Sequence, residues 1–117
     1  MKKKSKDTGR ATAQGYVAVG TTADVPPGAV RVFKVNRENV AVACVDGQWY
    51  AFADICTHDG GPLVEGELDD CAIECPRHGA RFDIRTGRVL ALPAVVPLPI
   101  YEVKVEGETI WVGRRPR

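Results

Sequence analysis

The sequence has no apolar run that approaches the roughly 20 residues a helix needs to cross a bilayer. Its first residues, Met1-Lys2-Lys3-Lys4-Ser5-Lys6-Asp7, are basic, but they carry neither an apolar signal-peptide core nor a twin-arginine pair. These absences point to a soluble, cytoplasmic protein with no membrane partner. No stretch carries a long apolar stripe at helical spacing, and no segment repeats, which argues against helical and solenoid folds. Aromatics make up only 7% of the chain, and none interleave with the basic residues at its two ends. With no recognisable nucleic-acid motif either, nucleic acid is not an expected partner.

The remaining composition is ordinary for a globular protein, and 117 residues leave room for one domain with one modest core. Charge is unevenly spread. Eight of the sixteen basic residues lie in the first ten and last four positions, while fourteen of the fifteen acids lie between Gly15 and Gly113. That body, with eight bases against fourteen acids, carries about −6. The ends read as solvated extensions: residues 1–14 as a disordered basic arm and 114–117 as a basic C-terminal tail. Residues 15–113 read as a single domain.

Within that domain the signals are those of strands. Tyr16-Val17-Ala18-Val19 and Val30 to Val35 are β-rich runs, separated by a turn at Pro26-Pro27-Gly28. Val40 to Val45 and Gln48 to Phe52 flank Asp46-Gly47, the strongest short hairpin signal in the chain. Leu63 to Asp70 reads as a polar connection, Cys71 to Glu74 as a short strand, and Ala80 to Ile84 as another, turning at Thr86-Gly87. Pro93, Pro97 and Pro99 then mark a loop. A second hairpin, Ile100 to Val105 against Thr109 to Val112, closes the chain, with Tyr101, Val103 and Val105 on one face. The expected class is all-β.

Both histidines and two of the four cysteines fall in one stretch: Cys56-Thr57-His58, then sixteen residues, then Cys75-Pro76-Arg77-His78. Two soft thiolates and two imidazoles suit zinc or a two-iron cluster. A zinc finger usually pairs Cys with Cys and His with His. Here each short loop mixes the types, as a cluster with two chemically different irons requires. Cys44 and Cys71 stand apart; on expected strands, they read as inert core thiols compatible with a reducing compartment. Arg77 and Arg81 read as solvated side chains or as residues that steer a partner.

The paired loops, the Asp46-Gly47 hairpin, Arg81-Phe82-Asp83-Ile84-Arg85-Thr86-Gly87 and the proline loop together resemble Rieske ferredoxins and Rieske domains. The resemblance implies a Rieske fold: an antiparallel, sandwich-like base with a small cluster-binding lobe at about residues 55–94. It implies one [2Fe–2S] cluster per chain, with Cys56 and Cys75 on the buried iron and His58 and His78 on the outer one. Leu92-Pro93-Ala94 would then cover the cluster from a third side. Rieske proteins of cytochrome complexes carry a further Cys in each loop, and a Ser and a Tyr near the cluster. The matching positions here are Gly61, Arg77, Ala80 and Phe82, which implies the soluble, low-potential type. The implied role is a one-electron carrier without enzyme activity of its own, passing electrons from a flavin-dependent reductase to a terminal oxygenase or other redox enzyme. Competing readings are the small subunit of a nitrite-reductase-type complex, a zinc-binding structural module, and a redox sensor or accessory to iron–sulfur assembly.

Overall fold

The computed structural model describes residues 15–117; the arm expected over residues 1–14 lies outside the described residues. Ten strands follow in order: β1 (Tyr16–Thr21), β2 (Val30–Val35), β3 (Glu38–Val45), β4 (Gln48–Ala53), β5 (Leu68–Asp69), β6 (Ala72–Glu74), β7 (Arg81–Asp83), β8 (Val89–Ala91), β9 (Ile100–Glu106) and β10 (Thr109–Pro116). Apart from a 3-10 turn at Thr22–Asp24, there is no helix among the described residues. The class is all-β, as the patterning implies. Six strands form one antiparallel sheet, in the order β1-β10-β9-β4-β3-β2, and the other four form a second, β5-β6-β7-β8.

The β3–β4 hairpin sets the frame. Asp46 and Gly47 both have positive φ, 52° and 78°, the geometry of a type I′ turn. The β2–β3 hairpin uses the same device at Asn36 and Arg37, with φ 53° and 74°. That turn was not legible in the sequence, because Arg seldom adopts a left-handed conformation. In β3 every residue from Val40 to Val45 is buried. Val40 and Val42 face a core shared with Val17, Val19, Val35, Ile110 and Val112. Ala41, Ala43 and Val45 face the opposite way, into a core shared with Cys56, Leu63, Ile73, Cys75 and Phe82. An unbroken apolar run in a strand therefore means two covered faces.

The larger sheet curls until its edges approach. Gly20 of β1 lacks a Cβ that would stand 3.0 Å from the Phe33 ring of β2, so the two edge strands can lie against each other. This sheet is the base, and it folds over the first core in the manner of a sandwich. The whole chain between β4 and β9 is an excursion, and it builds the second sheet and most of the second core, which Ala41, Ala43, Val45, Phe52 and Ile100 of the base complete.

Four local expectations need correction. Leu63 to Asp70 is not simply a polar connection: Leu63 is fully buried, and Leu68–Asp69 pairs with β6. β8 adds a strand before the proline loop that no alternation announced. The basic end is not a tail, since β10 runs through Arg114 and Arg115 to Pro116. After a register shift Pro116 faces Tyr101, and the Arg117 N–H donates to the Ile100 carbonyl at 2.6 Å. Cys44 is buried as expected, but Cys71 sits in the turn before β6 and is only partly covered.

Candidate metal centre

The two loops singled out by their Cys and His are built as one turn used twice. Cys56 donates its N–H to the Gly61 carbonyl at 2.7 Å, and Cys75 donates to the Ala80 carbonyl at 2.7 Å. Gly60 and Gly79, each four residues after its cysteine, donate back to the Cys56 and Cys75 carbonyls at 2.7 and 3.1 Å. Both glycines have positive φ, 78° and 80°, which a side chain would resist. The first loop is entered from β4, and the second links β6 to β7.

Each loop is held from outside. Asp54, just past β4, accepts the N–H groups of Leu63 and Val64 at 2.8 and 2.9 Å, which fixes the exit of the first loop. The Thr57 hydroxyl donates to the Val96 carbonyl at 2.6 Å, so the segment after β8 lies along the first loop. Ala94 in that segment is buried in the same core as both cysteines.

This frame puts the four residues in two layers. Cys56 and Cys75 are buried, at 0% and 1% exposure, while His58 and His78 are exposed. The two imidazoles meet edge to face, with centroids 5.0 Å apart and planes at 84°. The donor atoms of Cys56, Asp59 and Cys75 lie within 4.8 Å of one another, as do those of His58, Asp59 and His78.

The backbone around the sulfurs suits thiolates. Burial pushes the Cys56 thiol up, partly offset by the N–H groups of His58 and Asp59 aimed at its sulfur. Burial acts on Cys75 as well, but the N–H groups of Arg77 and His78 and the Cys56 thiol more than reverse it, holding Cys75 below the ordinary thiol range. In both loops the donors are the second and third residues after the cysteine. Two buried sulfurs with amide donors, behind two exposed imidazoles, fit a cluster with one sulfur-bound and one nitrogen-bound iron.

Sequence reasoning missed a connection between the loops. Arg77 is not a free solvated cation: its Nε lies 2.6 Å from Asp59 Oδ2, and its Nη2 donates to Asp59 Oδ1 at 3.1 Å. The Arg77 guanidinium, with the Gly61 N–H, holds the Asp59 carboxyl far below the usual carboxylate range. No local signal marked the pair, since opposite charges eighteen residues apart on two loops read as solvated surface. Arg81 lies farther from its acids, 3.6 Å from Asp69 and 3.7 Å from Glu74.

Comparison with known proteins agrees with this geometry. The family model for the Rieske [2Fe-2S] domain matches residues 15–102. The chain is 41% identical over 104 residues to ferredoxin CarAc of Metapseudomonas resinovorans, covering 87% of this chain and 97% of the relative. It is 40% identical over 92 residues to the ferredoxin component of biphenyl 2,3-dioxygenase from Rhodococcus jostii (strain RHA1), covering 79% and 86%. Among solved structures it matches a chain in the complex of reduced oxygenase and oxidized ferredoxin in carbazole 1,9a-dioxygenase. That match has a TM-score of 0.82 and 37% identity, and covers 89% of this chain and 97% of the other. The paired loops, the two-sheet fold and these similarities make the chain a member of the Rieske [2Fe-2S] domain family.

Proposed function

We propose that this chain is a ferredoxin, a one-electron carrier that passes electrons from a flavin-dependent reductase to a terminal oxygenase. The observation that carries this reading is the layering of the site: a buried thiol pair stands behind an exposed imidazole pair on two matching turns. In this reading Cys56 and Cys75 hold the inner iron and His58 and His78 the outer one, in a lobe of about residues 55–94 within a domain that starts near residue 15 and includes all of β10 to Pro116. The bound [2Fe–2S] cluster supplies one-electron redox chemistry and no substrate chemistry. The residues of the chain bind it, shield its sulfur side from water and expose its histidine side to a partner.

Similar proteins support the role. Relatives are ferredoxin components of dioxygenase systems, and a similar chain occurs in a complex of oxygenase with ferredoxin. The chain therefore serves an oxygenase without being the catalytic component. Ala80 and Phe82, both fully buried, bring no hydroxyl to the site, which supports a low potential. No helix among the described residues is long and apolar enough to cross a membrane. The unpaired thiols of Cys44 and Cys71 support a cytoplasmic setting.

Optical and EPR spectra of protein purified without air test the reading. A Rieske signal with two irons per chain is expected. Colourless protein holding zinc, or the spectrum of an all-cysteine cluster, would overturn it.

A further inference from the structure

The two ligand loops share one backbone turn, yet their histidines are offset by one residue, second after Cys56 and third after Cys75. The offset leaves one vacant corresponding place in each loop: the third after Cys56, which is Asp59, and the second after Cys75, which is Arg77. These two residues carry opposite charges, and they meet with paired contacts of 2.6 and 3.1 Å. Each is anchored to the first loop. Asp59 Oδ1 also accepts the Gly61 N–H at 2.9 Å, which fixes the carboxylate within its own turn. A Cβ on Gly61 would stand 2.6 Å from Arg77 Cζ, so the guanidinium occupies the place of a side chain on the opposite loop. Asp59 Oδ2 lies 3.3 Å from His78 Nδ1, so the pair borders the imidazole layer directly.

We propose that Asp59 and Arg77 form a clasp that sets the spacing of the two ligand loops, and with it the relative placement of the His58 and His78 rings. They are positioning residues; the inference rests on the reading of Cys56, His58, Cys75 and His78 as the cluster ligands. A forked guanidinium–carboxylate contact specifies distance and direction together, which a lysine in its place would not. The pair is partly exposed, at 34% and 18% for the two side chains, and such pairs add little to global stability. The clasp therefore acts locally. It governs how firmly the chain holds its cluster and at what potential, without supporting the base sheet.

The test uses full-length, cluster-loaded protein purified without air. Wild type is compared with Arg77→Leu, Asp59→Asn, the double variant, Arg77→Lys and Gly61→Ala. The readouts are the rate of bleaching by EDTA, the reduction potential, the EPR g values and the thermal midpoint of the base sheet. Bleaching about tenfold faster is expected in either single variant, the usual scale for losing a partner that orients metal ligands. The double variant should bleach no faster than the singles, and Arg77→Lys should recover only part of the loss. Gly61→Ala keeps both charges but displaces the guanidinium, so it too should bleach faster. Potentials and g values should move in the same variants while the base midpoint stays put. Should Arg77→Leu fail to load, Arg77→Lys and Gly61→Ala make the same comparison.

Wild-type bleaching and potential throughout would show that the pair is an ordinary surface contact. Additive effects in the double variant, or wild-type behaviour of Gly61→Ala beside a fast Arg77→Leu, would equally overturn the clasp. Wild-type protein with no iron and no Rieske signal would instead refute the ligand reading.

Discussion

Gly60 and Gly79 do one job in two places: each lies four residues after a cysteine and returns a hydrogen bond to that cysteine's carbonyl, with φ 78° and 80°. Nothing lies within 4 Å of where a Cβ would stand on either. Alanine there meets no neighbour, so its cost is the left-handed backbone alone, about 1–2 kcal/mol per site. Gly60→Ala and Gly79→Ala should each destabilise the loaded protein by that amount in urea titrations. Asparagine should cost less, since it tolerates this conformation better. Unchanged midpoints with alanine would show that the two turns relax to another conformation at no cost.

The division into two cores predicts how the chain behaves without its cluster. The core of Val17, Val19, Val35, Val40, Val42, Ile110 and Val112 draws nothing from the excursion between β4 and β9, whereas Cys56 and Cys75 lie in the other core. Cys56→Ser or Cys75→Ser should yield colourless protein. Amide exchange should then quicken in β5–β8 while β1 and β10 stay protected. Either variant retaining wild-type colour and iron content would rule out that cysteine as a ligand.

Ala80 and Phe82 offer a test of tuning. Both are fully buried in the core that holds the cysteines, and neither side chain can donate a hydrogen bond. Ala80→Ser and Phe82→Tyr should each raise the reduction potential, because a donor near the cluster favours its more negative, reduced state. The wild-type value should lie near or below the lower end of the Rieske range, roughly −150 mV. Protein-film voltammetry reads both quantities, and a wild-type potential near the top of the range, roughly +300 mV, would contradict the assignment to the low-potential type.

Acid should weaken the lobe through Asp83. The Arg85 guanidinium donates to both its oxygens at 3.0 Å, and the Arg85 N–H adds a bond of 2.9 Å. These contacts, the guanidinium first, hold the Asp83 carboxyl below its ordinary value. The unfolded chain then binds the proton more readily than the folded one. The pair's stabilisation is therefore complete above the ordinary carboxylate value, about 3.9, and is lost as pH falls through the lower folded value. Asp83→Asn removes this dependence. As pH falls below about 4 the wild type should lose stability faster than the variant, by less than about 1 kcal/mol once screening is allowed for. Parallel pH profiles of the two proteins would show that the pair contributes nothing.

What the sequence determined by itself was local. Asp-Gly at residues 46–47 dictates a tight hairpin, because so few dipeptides accept two positive φ values in succession. Cys-x-His and Cys-x-x-His, each followed by glycine, announce a pair of like turns with mixed ligand types, since spacing and glycine act within a few residues. Tertiary structure decided everything that depends on neighbours distant in the chain. Leu63 follows Gly60-Gly61-Pro62 in a stretch with no legible strand pattern and still enters the core, because Asp54 binds its N–H and that of Val64 and turns the chain inward. Leu68–Asp69 and Val89–Ala91 are too short to alternate legibly, and become strands only through pairing with β6 and β7. Arg114 to Pro116 is strand and not tail, because the Gly15 carbonyl takes the Arg114 N–H and Tyr101 of β9 pairs with Pro116. The meeting of Asp59 with Arg77 spans eighteen residues. Charge alone could not tell it from solvated surface; it exists because the fold lays two copies of one turn face to face.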